Sequence, residues 1–438
     1  MSRPASNRRA PRAMSRLLVT AALLTAMLPA AAQSLLIRGA TVHTAGAQGS
    51  LQNTDVLVRN GRIAAIGAGL SAGDAQVVEA NGRPLTPTLF GGVTGIGIEE
   101  VSGESGTRDD RLSLGETRDM AVRPEFDVTL AFNPDSIVIP VARIEGIGFT
   151  LISAGSASSI IGGQGAVMRL DGSFDPAGPR VLYLSLGAGG AEQSGSSRAA
   201  QWMLLDQLID EARGRMPADA QGLALTPAGK RALVPYLDGR GTIVVGVNRA
   251  ADIRQLLRWS KRHGLRIAIR GGAEGWRVAS DLAAANVPVF VDPLVNLPSD
   301  FDQIGATMEN AARLQAAGVR VGFAQASDAS HNARKLRQLA GNAVAHGLPW
   351  DAGLAGLTRV PAETFGVGES IGTIAVGRTA DLVLWSGDPL DVTSTADQVW
   401  FDGRAIEMRS RQTELRDRYL GPATPASEGG LPRAYQKR

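Results

Sequence analysis

The stretch Gly241–Gly264, "GTIVVGVNRAADIRQLLRWSKRHG", decides the architecture. Its first part, "TIVVGV", is a short, almost uninterrupted apolar run, the pattern of a strand covered on both faces. From Ala250 the spacing changes: Ile253, Leu256, Leu257 and Trp259 recur at helical intervals among arginines and a lysine. This predicts an amphipathic helix that stops at Gly264. The same plan repeats in "LRIAIRGGAEGWRVASDLAAANV" (265–287), "PVFVDPLVNLPSDFDQIGATMENAARLQAAGV" (288–319) and "RVGFAQASDASHNARKLRQLAGNAVAHG" (320–347). Four consecutive strand–helix units predict a parallel sheet covered by helices.

Working outward, "GFTLIS" (148–153) and "RVLYLSLG" (180–187) are further strand candidates, and "SSRAAQWMLLDQLIDEARGR" (196–215) reads as a helix. The total predicts an α/β fold with a distorted (β/α)8 TIM barrel, close to the usual ~250 residues for that architecture. The flanks have another texture. Residues 35–85 read as short strands, with Asn60-Gly61 between two of them, a strong hairpin signal. Residues 372–408 return to short strands and turns. The two flanks are expected to combine into one small composite β-sandwich. The predicted organisation is residues 1–32 as a signal peptide, 33–85 and 368–410 as the two parts of the sandwich, 86–367 as the barrel, and 411–438 as a C-terminal extension and flexible tail.

The leader rests on Arg3, Arg8, Arg9, Arg12 and Arg16 ahead of "LLVTAALLTAMLPAAA", with Met1 and Met14 both open as the start. It predicts export to the periplasm and no membrane span after cleavage. The leader also explains the basic balance. It holds five of the 45 basic side chains and none of the 42 acidic ones, which leaves 40 against 42. No nucleic-acid partner is expected from that balance. The absence of cysteine excludes thiolate metal sites and cysteine nucleophiles.

The segments "LIRGATVHT" (36–44), "DVLVRNGRIAAIG" (55–67), "GRPLTPTL" (82–89), "PAETFGV" (361–367) and above all "GTIAVGRTADLVLWSGDPL" (372–390) resemble the amidohydrolase superfamily, nearest its imidazolonepropionase-like branch. The resemblance implies the barrel and the sandwich, and a hydrolase of carbon–nitrogen bonds other than peptide bonds. It also implies one or two divalent metals at the barrel mouth. Their ligands would be His-x-His after strand 1, a His after each of strands 5 and 6, and an Asp after strand 8. Such a set holds a metal whose bound water ionises near neutral pH.

Carried onto this chain, the first two ligand positions fall on Val93 and Gly95, and no histidine lies between His43 and His263. The strand 5 position falls on Gly246, and the strand 6 position on Gly271 or Gly272. Asp328 is the candidate aspartate, although Gln325 is nearer the expected strand end. No resident metal or other cofactor is expected from this set.

Four polar residues remain as candidates. Asp328 and His331, on the loop after the last strand, read either as an acid–base pair or as a helix start capped by Asp328 or Ser330. Glu99 and Glu100, directly after strand 1, read either as binding carboxylates for Mg²⁺ or Ca²⁺ or as a solvated loop partnered by Arg108 and Arg111. "SASSIIGGQGAVMRL" and "SLGAGG" are glycine-rich enough to hold an anion, but they lack a P-loop lysine. The expectation is an exported amidohydrolase-like protein, non-catalytic or catalytically altered, with a small-molecule ligand or a homo- or hetero-oligomeric amidohydrolase partner. The alternatives are a hydrolase with a rebuilt, metal-holding carboxylate site built from Glu99, Glu100, Asp328 and His331, or a metal-free small-molecule binder.

Overall fold

The computed structural model describes residues 34–114, 121–155, 159–217, 219–327 and 329–420. Seventeen strands occur among them. Strands β1 (Leu35–His43), β2 (Ser50–Arg59), β3 (Arg62–Gly67), β4 (Gln76–Glu79) and β5 (Pro84–Pro87) come from the first flank. Asn60 and Gly61 both take positive φ, 52° and 74°, in the two-residue turn that joins β2 to β3 with Arg59 opposite Arg62. That is the conformation the Asn-Gly signal calls for.

Strands β6 (Leu89–Thr94), β7 (Ile147–Ile152), β8 (Ile161–Gly165), β9 (Val167–Arg169) and β10 (Val181–Ser185) follow, then β11 (Thr242–Val247), β12 (Arg266–Gly271), β13 (Val289–Val291) and β14 (Val321–Phe323). The second flank supplies β15 (Leu382–Trp385), β16 (Ala396–Phe401) and β17 (Arg404–Ala405). The two flanks meet in one eight-stranded sheet, ordered β17-β16-β15-β5-β1-β2-β3 with β4 also on β1. The seam is the antiparallel pair β5–β15, where Leu85 faces Leu384 and Thr86 faces Val383. Val56, Val58, Ile63, Leu382 and Trp400 are among the side chains of its own core.

The middle of the chain is a mixed α/β unit. Strands β10 to β14 run parallel in sequence order, and β6 and β7 are parallel to each other. The predicted helices follow their strands. Ala250–His263 follows β11 and ends on Gly264 with φ 70°, and Asn310–Ala316 and Leu336–Ala345 follow β13 and β14. The two ladders face a common core. Phe90 of β6 packs against Phe149 of β7 at 5.4 Å and against Phe290 of β13 at 6.1 Å, and Phe290 stacks on Phe365 at 5.1 Å.

Between the ladders the chain departs from a pure strand–helix repeat. The described part of the glycine-rich stretch weighed for anion binding forms β8, antiparallel to β10, and β9, antiparallel to β7. A Cβ on Gly165 would stand 1.9 Å from the Ile152 carbonyl oxygen. The glycine is there for backbone contact.

A bidentate ion pair ties the two parts. Arg169 of β9 donates from Nε to Asp381 Oδ2 at 3.0 Å and from Nη2 to Oδ1 at 2.8 Å, beside the seam. Among the described residues no helix is long and apolar enough to cross a membrane.

Candidate functional site

The carboxyl ends of the parallel strands carry residues 95–100 after β6, 247–248 at the end of β11, 270–273 at the end of β12, 292 after β13, and 324–327 and 329–331 after β14. Parallel barrels do their chemistry at this end, because the loops there converge on one point. A larger cavity, about 1130 Å³, lies at the opposite strand ends among Arg254, Arg258, Arg266 and Arg320. It is a broad basic cleft, remote from that convergence.

Each position that would hold a metal ligand has a different fate. Val93 is 1% exposed and paired with Leu151 across the β6–β7 ladder. A Cβ on Gly95 would meet Glu99 Oε2 at 2.9 Å and Ser330 Oγ at 3.1 Å. Ser330 Oγ accepts the Gly95 N–H at 2.9 Å and donates to Glu99 Oε2 at 2.7 Å. The volume of a side chain at 95 is thus taken by a serine–glutamate latch.

Gly271 and Gly272 have φ of 99° and 62°, and a Cβ on Gly271 would lie 2.5 Å from Asn248 Oδ1. Strand β12 therefore ends in a left-handed turn that excludes a larger residue. Only Gly246 is simply open, with nothing nearer than 3.8 Å to its would-be Cβ. Among the described residues no group of three His, Cys, Asp or Glu side chains is placed to hold a metal ion. What stands at these positions does not fit a tetrahedral donor set. Asp328, the remaining position, lies outside the described residues.

The sequence candidates are partly brought together. Glu99, 8% exposed, is engaged by Ser330 and lies 3.7 Å from Arg108 Nε. Arg108 is therefore its predicted partner, but the carboxylate is buried. Glu100 turns elsewhere: its Oε2 accepts from Ser136 Oγ at 3.0 Å and from the Ile137 N–H at 3.1 Å, at the start of the helix Val138–Arg143. Glu100 and His331 line one cavity of about 350 Å³ with Val138, Arg334 and Arg411. Ser330 lies inside the short helix Ala329–Asn332, and its hydroxyl serves Glu99 and Gly95 rather than capping that helix.

Sequence reasoning missed the main polar residue of the mouth. A cavity of about 250 Å³ lies over Gly246, walled by Asn248, Arg270, Asp292 and Gln325. Arg270 donates from Nη2 to the Gln325 carbonyl at 3.0 Å, and among the described residues no carboxylate comes within 4 Å of it. Burial pushes its guanidinium below the ordinary value, opposed by Tyr183 and Asp292. Asp292 is spent on the backbone, accepting the Leu294 and Ala326 N–H groups at 3.0 Å each. Gln325 donates from Nε2 to the Asn332 carbonyl, which fixes its amide orientation, and its buried Oε1 has no partner among the described residues. The available signal was an arginine inside the apolar run "RIAIRGG".

Comparison with known proteins agrees with this frame. Residues 261–407 match the amidohydrolase family. A stretch of 60 residues is 48% identical to the amidohydrolase tasK of Hapsidospora irregularis, 14% of this chain and only 6% of that protein. Among solved structures, an amidohydrolase from Thermotoga maritima aligns with TM-score 0.74 and 26% identity, over 86% of this chain and all of that one. A prolidase complexed with N-methylphosphonate-L-proline aligns with TM-score 0.52 and 14% identity, over 86% and 100% of the two chains. A triazine hydrolase from Arthrobacter aurescens gives 0.51 and 17%, over 88% and 97%. At the last two identities the likeness shows the fold alone.

Proposed function

We propose that this chain, which carries an amidohydrolase family domain, binds a small molecule at its strand mouth without the divalent centre of that family. The observation that carries the reading is the rebuilding of the ligand positions: a latch fills the place beside Gly95, a left-handed turn closes Gly271, and a cavity opens over Gly246. By family the protein is a hydrolase-like barrel of the carbon–nitrogen class. With that centre gone it is non-catalytic or catalytically altered, and it serves as a binding protein or as the partner subunit of a ligand-complete amidohydrolase.

The same proposal includes a closed (β/α)8 barrel, a sandwich made by the two flanks, the imidazolonepropionase-like branch, and export to the periplasm by residues 1–32. The test is elemental analysis of protein purified from zinc-supplemented cells, beside assays on amide and lactam substrates. Well under one ion per chain and no turnover are expected. A stoichiometric ion that survives dialysis would sink the proposal.

A second reading is favoured by one observation, the shared cavity of Glu100 and His331. There hydrolysis persists on a rebuilt site, with His331 as the proton acceptor. Any activity found should then disappear in both His331→Ala and Glu100→Gln. Activity that survives both changes removes this reading.

A further inference from the structure

The strand-mouth cavity has in its wall a guanidinium for which one hydrogen bond is seen among the described residues. Arg270 sits in the wall of the cavity over Gly246, held by one carbonyl, and no carboxylate of the described residues reaches it within 4 Å. Asp292, in the same wall, has both oxygens committed to backbone N–H groups. Asp292 favours the ionised guanidinium through space, against the effect of burial, yet among the described residues it makes no ion pair with Arg270, and a desolvated cation held in this way is costly to keep. Its planar fork is suited to binding a carboxylate through two parallel hydrogen bonds. Gln325, 6% exposed, adds to the same wall an acceptor oxygen that has no partner among the described residues. At about 250 Å³ the space is below the range of drug-sized sites, ~300–1,000 Å³.

From this geometry we infer that the cavity takes a small carboxylate bearing an N–H or O–H donor, with its anionic group on Arg270 and its donor towards Gln325. The inference rests on the small-molecule-binding reading above and names the class of ligand. The open position of Gly246 is part of the site, since any side chain there would project into the ligand's space. In this site a fixed guanidinium supplies the positive charge that a metal supplies elsewhere in the family.

The test uses the full chain, stripped of metal with EDTA, and follows melting temperature and binding heat with N-acetylglycine and its neutral isostere N-acetylglycinamide at millimolar concentration. The acid should stabilise the protein and the amide should not. Arg270→Gln should bind the acid at least about tenfold more weakly, while Arg270→Lys retains part of the response. Equal response to acid and amide, no response to either, or an unchanged affinity in Arg270→Gln overturns the inference. Should Arg270→Gln not fold, Gly246→Val decides: loss of the acid response supports the site, and its retention overturns it. Metal content measured on the untreated protein separates the two readings. A stoichiometric ion with an intact acid response removes only the metal-free reading. A metal-free protein with no acid response removes only this inference.

Discussion

The Ser330 hydroxyl donates to Glu99 Oε2 at 2.7 Å, across 231 positions of sequence, and joins the loop after β6 to the loop after β14. It accepts the Gly95 N–H on its other side. All three groups are buried, so none can turn to water if one is removed.

Ser330→Ala is therefore expected to destabilise the fold by about 1–3 kcal/mol, the usual cost of stranding buried hydrogen-bonding groups. Urea unfolding measures it. A midpoint equal to wild type would show that the latch holds nothing.

Three aspartates contact Arg169, namely Asp171, Asp381 and Asp402, and the last two should behave differently. The Asp381 side chain is 3% exposed and bidentate, whereas Asp402, bonded at 3.1 Å, is 46% exposed. Asp381→Asn should cost about 3–5 kcal/mol, as expected for breaking a buried pair. Asp402→Asn should cost less than about 1 kcal/mol. Similar losses in the two variants would contradict the geometry.

Gly271→Ala places a Cβ at φ 99° and 2.5 Å from Asn248 Oδ1. A loss of roughly 1–3 kcal/mol is expected. For the same reason, grafting histidines at 93, 95 and 271 together should not create a zinc site, as zinc titration calorimetry will read. Tight binding by the triple variant would refute the account of why these positions are closed.

His43 gives a pH signature. Its Nδ1 lies 2.7 Å from Ser50 Oγ, and its ring packs on Trp350 at 4.6 Å. Burial lowers its pKa from 6.5, only partly offset by Asp388 and Asp351. The folded state thus binds a proton less readily than the unfolded chain. The stability contributed by neutral His43 is full above pH 6.5 and is lost as pH falls from there through the lowered folded value. The wild type should weaken between pH 7.5 and 5.5, and His43→Asn should weaken less over that interval. Parallel curves for the two proteins would exclude His43 as the source.

Much of the frame could be read directly from the sequence because it is local. The run "TIVVGV" and the helix after it fall where their periodicity places them, and Asn60-Gly61 makes the turn its chemistry demands. The site was less legible because its partners are distant in sequence. Nothing near Glu99 announces Ser330, and the carboxylate that read as free to bind is already engaged. The role of the glycines at 162–165 was not legible because glycine signals conformational freedom and close packing alike, and here packing decides. Arg270 escaped notice because a charge inside an apolar strand is judged only once the space around it is known. Arg337 shows the converse: it sits in the recognisable segment 336–345, yet its partners, the Asp391 carbonyl at 2.6 Å and the Ser394 carbonyl at 2.7 Å, belong to the distant second flank.

The β5–β15 seam sets an order of events during synthesis. Residues 84–87 leave the ribosome almost 300 residues before their neighbours at 382–385 exist. Until then the first five strands have an unsatisfied edge, with Leu85 and Thr86 offering open main-chain groups to any extended peptide. A chain interrupted before residue 382 would lack the strand that covers this edge.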